Sequence, residues 1–512
     1  MTSLPQPGPL DELRQEIEAR LQQFHHPLLV ENQIELMDLT AAQWRLTIEF
    51  GKLIFSAWNP TKSLTRRVEE VAYRDWDRFA VFARKPGGRE SSTLEFRELH
   101  ASAEADRTAG RTGFLQQLLA LLERDYRGWK FERVSNRSDR EHSFSAWYTR
   151  GLATQGRSAW AFLGLSEEEG PAAADSALAF GLIWLDWLRS RTDRLAITGL
   201  KLFLPPEAVS ANAHRAAYLN PRALKVEIYQ WRKGPPSVTP VDLRDYGNVE
   251  TRLTPRRQAE LLRESHASLL QDVLGGEVEG IDIIPDPAGT FSSLRIAGLE
   301  VARIEGQLAP RIYFGLEGSI RRLDDSCRDE FRSFLEEGKR IRRADSPEPQ
   351  HDYYRLQSER WLESLLFKDI TRIDPALSPL HVYPQVPAFS RSMRGVIDIL
   401  TATHGGRLAV VELKLHEEIN LPLQGLDYWL RVNWLQQRNQ FQESGYFRGV
   451  ELSPSPPLLY LVSPAFRFHS STEKLLSYFA PQIETILVGI NDPWRREVKA
   501  LFRHPIPAGT AP

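Results

Sequence analysis

Apolar and polar positions along the chain fall into four successive blocks, each opening on a helical period and passing into strand-like alternation. In the first, Leu10 to Phe24 spaces its apolar residues as one helical face. Leu28–Leu36, Trp44–Phe50, Lys52–Trp58 and Arg78–Arg84 then alternate with β-branched and aromatic residues, which predicts strands. The second block predicts a helix over Gly113–Leu122, strands over Trp129–Val134, Phe144–Leu152 and Ser158–Leu165, a helix over Asp175–Arg189 and a strand over Ile197–Leu204. The third opens on a helix, Pro255–Leu274, with Pro255 suited to its first turn. Strands follow at Gly280–Ile284, Ser293–Ala297, Leu299–Ile304 and Arg311–Leu316, then a charged helix, Asp324–Arg343, and a break at Ser346-Pro347-Glu348-Pro349. The fourth reads as a helix over Tyr353–Lys368 and strands over Leu380–Pro384, Gly395–Thr401 and Arg407–Lys414. A helix over Leu423–Leu435, a strand over Leu458–Val462, a helix over Thr472–Tyr478 and a strand over Ile483–Val488 complete it.

The order of the first two blocks recurs in the last two, which predicts an internal duplication. Local echoes agree: Val30-Glu31-Asn32-Gln33-Ile34 resembles Val278-Glu279-Gly280-Ile281, and Gly156-Arg157 stands where Gly406-Arg407 stands. The helix text Gly181-Leu182-Ile183-Trp184-Leu185 echoes Gly425-Leu426-Asp427-Tyr428-Trp429-Leu430. The expected architecture is α/β, built of α+β modules. Residues 1–100 form a helix plus a β-rich module, 101–250 a degenerate α/β module, 251–345 a second helix plus β-rich module, and 350–512 the module that carries chemistry.

That chemistry centres on Gly395-Val396-Ile397-Asp398 and Val410-Val411-Glu412-Leu413-Lys414, two strands joined through His404-Gly405-Gly406. Glu412 and Lys414 share one face of their strand, and hairpin pairing brings Asp398 beside Glu412. Both strands are otherwise apolar, so three ionisable groups there would be costly unless paired or bound to a metal. Asp398 and Glu412 offer the hard oxygens that Mg²⁺ or Mn²⁺ prefers.

This pattern resembles the PD-(D/E)xK nuclease superfamily. Gly-x-x-Asp, then Glu-x-Lys, then Gln424-Gly425-Leu426-Asp427-Tyr428 is similar to its RecB-like branch, over about residues 350–490. The resemblance implies a restriction-endonuclease-like αβββαβ fold with the second copy catalytic, and a metal-dependent deoxyribonuclease using Mg²⁺ or Mn²⁺ on DNA. It implies a metal held by Asp398, Glu412 and the Leu413 carbonyl, water activation by Lys414, and substrate holding by Gln424 and Tyr428. The preceding helix carries Glu359 and Glu363 as further ligand candidates; Glu359 stands where the family usually has His. The rival is a nuclease fold without turnover that binds nucleic acid or scaffolds a partner.

Aligning the shared Gly-Arg sets Tyr148, Phe162 and Gly164 against Asp398, Glu412 and Lys414, so the earlier copy is expected to be inactive, with Trp147, Trp160, Trp184 and Trp187 in its core. Net charge is −2, which gives no whole-protein field toward nucleic acid. Two basic runs, Lys339 to Arg343 and Trp494-Arg495-Arg496 with Lys499 and Arg503, read first as solvated surface. His404 and His416 read as turn and surface residues. With one cysteine, Cys327, no intramolecular disulfide forms. There is no Gly-x-x-x-x-Gly-Lys loop, no signal peptide and no apolar run long enough for a bilayer, so a cytoplasmic protein without a membrane or ATPase role is expected. The β-rich modules are candidate docking sites for a protein partner.

Overall fold

A computed structural model describes residues 9–31, 34–40, 42–49, 52–58, 63–75, 78–84, 91–98, 101–139, 142–191, 195–233, 237–244, 251–253, 255–276, 278–286, 289–307, 309–316, 320–349, 351–390 and 394–507. Among them the chain is a mixed α/β protein with four β-sheets, two antiparallel and two mixed. It divides into two compact units, each drawing on two separate stretches: Met1–Ala105 with Pro255–Ser364, and Asp106–Thr254 with Leu365–Pro512. No helix among the described residues is long and apolar enough to cross a membrane.

The first unit holds the two antiparallel sheets. In the seven-stranded one, Leu29, Phe55, Phe79 and Phe96 bury one face, with Ile17 and Leu21 of the helix Pro9–Gln23 in the same core. The stretch expected as one strand, Leu28–Leu36, is two strands, Pro27–Glu31 and Ile34–Asp38, paired antiparallel; Asn32, Gln33 and Phe50 lie outside the described residues. Ser63–Arg74 and Ser91–Glu98, which the alternation did not mark, are strands of this sheet. The five-stranded sheet packs Leu294, Ile304 and Phe314 against Leu270 of the helix Arg256–Leu274 and Phe331 of the helix Arg328–Ile341.

In the second unit, the first mixed sheet runs in the order Ser237–Pro240, Lys225–Arg232, Ala196–Leu204, Ser158–Leu165, Tyr148–Gln155, Lys130–Ser135. The second runs Thr251–Arg252, Tyr383–Ser390, Arg394–Ala402, Leu408–Leu413, Leu458–Pro464, Thr485–Ile490, Ala500–Ile506. Apart from the short strand Thr251–Arg252, the two repeat one topology. An antiparallel three-strand meander leads through a helix (Pro171–Ser190 or Leu421–Gln436) to a parallel strand. A second helix (Pro206–Ala216 or Thr472–Ser477) leads to another parallel strand and an antiparallel edge. Covered on both faces, the central strands read as unbroken apolar runs.

One continuous core serves both sheets, with Leu182 and Leu200 in the same cluster as Leu426 and Leu461. Their seam is reciprocal: the Asn220 N–H donates to the Tyr478 carbonyl (2.8 Å) and the Ala480 N–H to the Tyr218 carbonyl (2.9 Å). The texts there are Tyr218-Leu219-Asn220-Pro221 and Tyr478-Phe479-Ala480-Pro481, so matching residues meet each other.

Candidate functional site

Parallel register fixes how the two sheets correspond. A Cβ on Gly181 would meet Leu200 and Leu202 and one on Gly425 would meet Leu459 and Leu461, so the row Ala161–Leu200–Val226 matches the row Val410–Leu459–Thr485. Leu163 and Leu165 therefore occupy the places of Glu412 and Lys414, whereas Phe162 and Gly164, expected there, lie on the opposite face of their sheet. On the neighbouring strand, Phe162 faces Gly151 while Val411 faces Ile399, so the counterpart of Asp398 is Arg150. This corrects the expected match to Tyr148. The hairpin turn Gly156-Arg157 is shorter than the stretch from Thr403 to Arg407, and an alignment on the turn slips along the strand.

The two hairpins part at this level. In the first sheet the ladder continues through Phe162–Gly151 to Leu165–Tyr148. In the second it runs from Ala402–Leu408 to Ile399–Val411 and stops. There the Leu413 N–H, which a continuing ladder would pair with backbone, donates to Asp398 Oδ2 (2.9 Å). The gap that opens holds Asp398 and Glu412 face to face.

Glu412 is 2% exposed. Burial, reinforced by the Asp398 charge and only partly offset by Lys414, pushes its carboxyl well above the usual range. Lys414 Nζ donates to Glu412 Oε1 (3.2 Å) and to the Leu413 carbonyl (3.3 Å). Glu412 Oε2 is buried with no hydrogen-bond partner. Two carboxyls and a main-chain carbonyl thus converge on a point that holds one ammonium and leaves an acceptor over. This is a donor set that suits a hard divalent cation, and Lys414 touches two of the oxygens such an ion would use.

The helix Leu421–Gln436 covers the same face. Gln424 Oε1 is buried with no partner, and Tyr428 is pushed above its ordinary value by burial and then by Glu412 and Asp398. Gly395 makes room for this helix: a Cβ there would overlap Arg431 Nη1 and lie 2.9 Å from Tyr428 Cε1. Asp427, between Gln424 and Tyr428, is gripped by Arg215 of the other sheet's helix (Nε–Oδ1 3.0 Å, Nη2–Oδ2 2.7 Å). The fully buried Arg215 guanidinium also bonds the Asp175 carboxylate and carbonyl.

Asp398, Glu412, Lys414 and Tyr428 therefore meet, joined by the Leu413 carbonyl, with Gln424 on the covering helix. Glu359 and Glu363 lie on the helix Ser358–Lys368 in the stretch belonging to the first unit, where Glu363 pairs with Arg360 (2.9 Å) and Arg295 (3.9 Å). Among the described residues no group of three or more His, Cys, Asp or Glu is arranged to hold a metal. Sequence reasoning missed Ser463. Its fully buried Oγ has no partner, and it shares the Glu412 face one strand over: Glu412 pairs with Leu461, and the Lys414 N–H donates to the Val462 carbonyl. Its only signal is a lone hydroxyl ending the apolar run Leu458 to Val462.

The matching place in the first sheet holds no acid: Leu163 and Leu165 lie in its core, and the Arg150 guanidinium stacks over the Phe144 ring (4.5 Å) and the Trp184 ring (5.6 Å). On the opposite face of this sheet, a Cβ on Gly151 would run into the Phe162 ring, and one on Gly164 into Leu118, with Phe114 at 3.3 Å. Trp184 donates to the Gly151 carbonyl (2.8 Å), and Phe162 packs with Phe114, Leu118 and Trp231. Of the aromatic residues expected in this core, Trp147 is 38% exposed. The basic run ahead of the last block is internally neutralised: Lys339 pairs with Glu336, Arg340 with Glu337 and Glu348, and Arg343 with Asp345. His416 is exposed and His404 sits in the hairpin turn. No protein-family model matches the chain, and no curated protein matches it significantly.

Proposed function

We propose that the second mixed sheet carries a metal-dependent nuclease centre of the PD-(D/E)xK type, acting on DNA. On this reading the first mixed sheet is a duplicated copy whose site has been filled. One observation carries the proposal. The hairpin ladder breaks only in the second sheet, and there it leaves a buried, unpartnered Glu412 oxygen facing Asp398 beside a lysine. A buried acceptor in such a place is costly, by about 1–3 kcal/mol, unless something fills it.

Asp398, Glu412 and the Leu413 carbonyl would hold Mg²⁺ or Mn²⁺, which when bound supplies a Lewis acid for the phosphodiester and a lowered pKa for water. Lys414, displaced from those oxygens, orients the attacking water and stabilises charge growing on the phosphoryl oxygens. Tyr428 stays protonated next to the two carboxyls and donates to the substrate. Gln424, held on the same helical face, positions it. The Arg215–Asp427 pair locks the pitch of that helix from the inactive copy.

The test is end-labelled single- and double-stranded DNA incubated with the protein in Mg²⁺ or Mn²⁺, beside Lys414→Ala. Metal-dependent cleavage lost in the variant supports the reading. Absence of both cleavage and Mn²⁺ binding would leave a nucleic-acid-binding or scaffold protein.

A further inference from the structure

Among the described residues, Phe466 is 87% exposed, whereas the other exposed aromatic side chains, Phe82, Trp147, Phe367 and Phe502, lie between 37% and 39%. A single wetted ring is ordinary on a protein surface, so its weight here comes from its place and its neighbours. Phe466 stands just beyond the strand Leu458–Pro464, at the end of the sheet where Lys414 lies. The Lys414 N–H donates to the Val462 carbonyl (3.0 Å), and the Ala465 N–H donates to the Ile490 carbonyl (2.9 Å). The segment also reaches the loop after Lys414, where His469 Nε2 is 3.9 Å from Glu417 Oε1. Counting one interstrand step and the intervening residues, Phe466 lies within roughly 15 Å of the Lys414 backbone.

Its surroundings are aromatic and basic. Phe468 packs on Phe502 with ring centroids 6.2 Å apart. Arg467 and Arg496 are exposed, and Arg495 stacks over Trp494 at 4.3 Å. Trp494 is itself buried, so the open face here is that of Phe466, and exposed cations beside an open ring suit a phosphate backbone whose bases are free to stack. Paired bases present no open face, so a duplex satisfies only the cations.

We propose that Phe466 is a stacking platform for an unpaired base, a subsite that receives a single strand, with Arg467 and Arg496 on its phosphates, as the strand passes to the Lys414 centre. This rests on the nuclease reading for the direction of the strand, but its binding chemistry is separately testable. Fluorescence anisotropy with a labelled oligo-dT strand, in a Lys414→Ala background to prevent cleavage, compares Phe466 with Phe466→Ala and Phe466→Trp. An abasic strand of the same length serves as the control. Removing the ring is expected to weaken oligo-dT binding about 5- to 30-fold, tryptophan to restore it, and the abasic strand to bind both alike. Equal oligo-dT affinity without the ring, an equal loss on the abasic strand, or no rescue by tryptophan would overturn the subsite. So would sedimentation in which Phe466→Ala abolishes self-association, since a second copy would then be the occupant. Cleavage of the same strand by the wild type in Mn²⁺ is scored in parallel. Binding that depends on Phe466 without cleavage sinks the nuclease reading alone; cleavage with binding independent of Phe466 sinks the subsite alone.

Discussion

Replacing Glu412 by Gln keeps the shape of the buried group and removes its charge, and the structure fixes the sign of the result. Glu412 is 2% exposed, faces Asp398 and has one oxygen without a partner. Its folded-state pKa is raised, so below the unfolded-state value both forms are protonated and the group is neutral toward stability. As pH rises above the unfolded-state value the unfolded chain ionises first and stability falls, and the penalty is complete once pH has passed the raised folded value. Glu412→Gln should therefore stabilise the metal-free protein at pH 7.5 by about 1–3 kcal/mol, the range for relieving an unsatisfied buried group. The lost Lys414 contact takes back part of that. At about 2 °C per kcal/mol for a unit of this size, the melting temperature should rise by about 2–6 °C, and the gain should shrink as pH is lowered toward 4. Metal reverses the order: Mn²⁺ at a hundredfold excess over its Kd should stabilise the wild type by about 2.7 kcal/mol and leave Glu412→Gln nearly unmoved. Differential scanning calorimetry at several pH values, with EDTA and with Mn²⁺, reads all of this. A metal-free Glu412→Gln protein that melts lower at neutral pH, or one that still gains the full Mn²⁺ increment, would refute the reasoning.

Three other perturbations separate the parts of the site. Lys414→Ala should lower cleavage by about 10²- to 10³-fold while Mn²⁺ affinity, followed by calorimetry, holds or improves because the ammonium leaves two of the ligand oxygens; weaker Mn²⁺ binding would contradict the placement of Lys414. Arg215→Met strands Asp427 beside Asp175 and should cost about 3–5 kcal/mol in urea unfolding, with most of it recovered when Asp427→Leu is added; additive losses would mean the pair is not coupled. Gly395→Ala pushes a methyl against Arg431 and Tyr428 and should cost about 1–3 kcal/mol, with kcat falling as the covering helix shifts; an unaltered kcat would show that the helix does not order the site.

Much of the mixed sheets was legible because their central strands are continuous apolar runs. Ser158–Leu165 falls where the alternation puts it, and the strand Ala196–Leu204 differs from Ile197–Leu204 by one residue. Asp398, Glu412 and Lys414 stood out as charges in such runs. Ser63–Arg74 did not read as a strand because Arg66, Arg67, Glu69 and Glu70 interrupt its apolar side. Arg66 is nevertheless buried in a two-pronged pair with Glu31 (2.5 and 2.6 Å), a partner thirty-five positions away that no local window sees. Pro206–Ala216 is built largely of small residues with little contrast between its faces, and the buried Asn212 holds it by bonding Leu178 N and the Ala174 carbonyl. The helix read as unbroken over Tyr353–Lys368 is two pieces, Asp352–Arg355 and Ser358–Lys368, separated at Gln357, whose φ of 47° no helical period announces. The break in the hairpin ladder, which makes the site, is equally silent: it depends on where two strands part rather than on what either contains.

The crossed backbone bonds at Asn220–Tyr478 and Ala480–Tyr218 have a consequence for how such a chain can change. Main-chain contacts tolerate nearly any side chain, so the seam survives while the two halves drift. The hydroxyls, acids and rings of each half answer to different demands, yet neither half can shed the other without laying open the core they share. On the proposed reading, the half without the acids is thereby kept as a wall. Cutting the chain down to the half that holds Asp398, Glu412 and Lys414 would remove the surface on which that half folds.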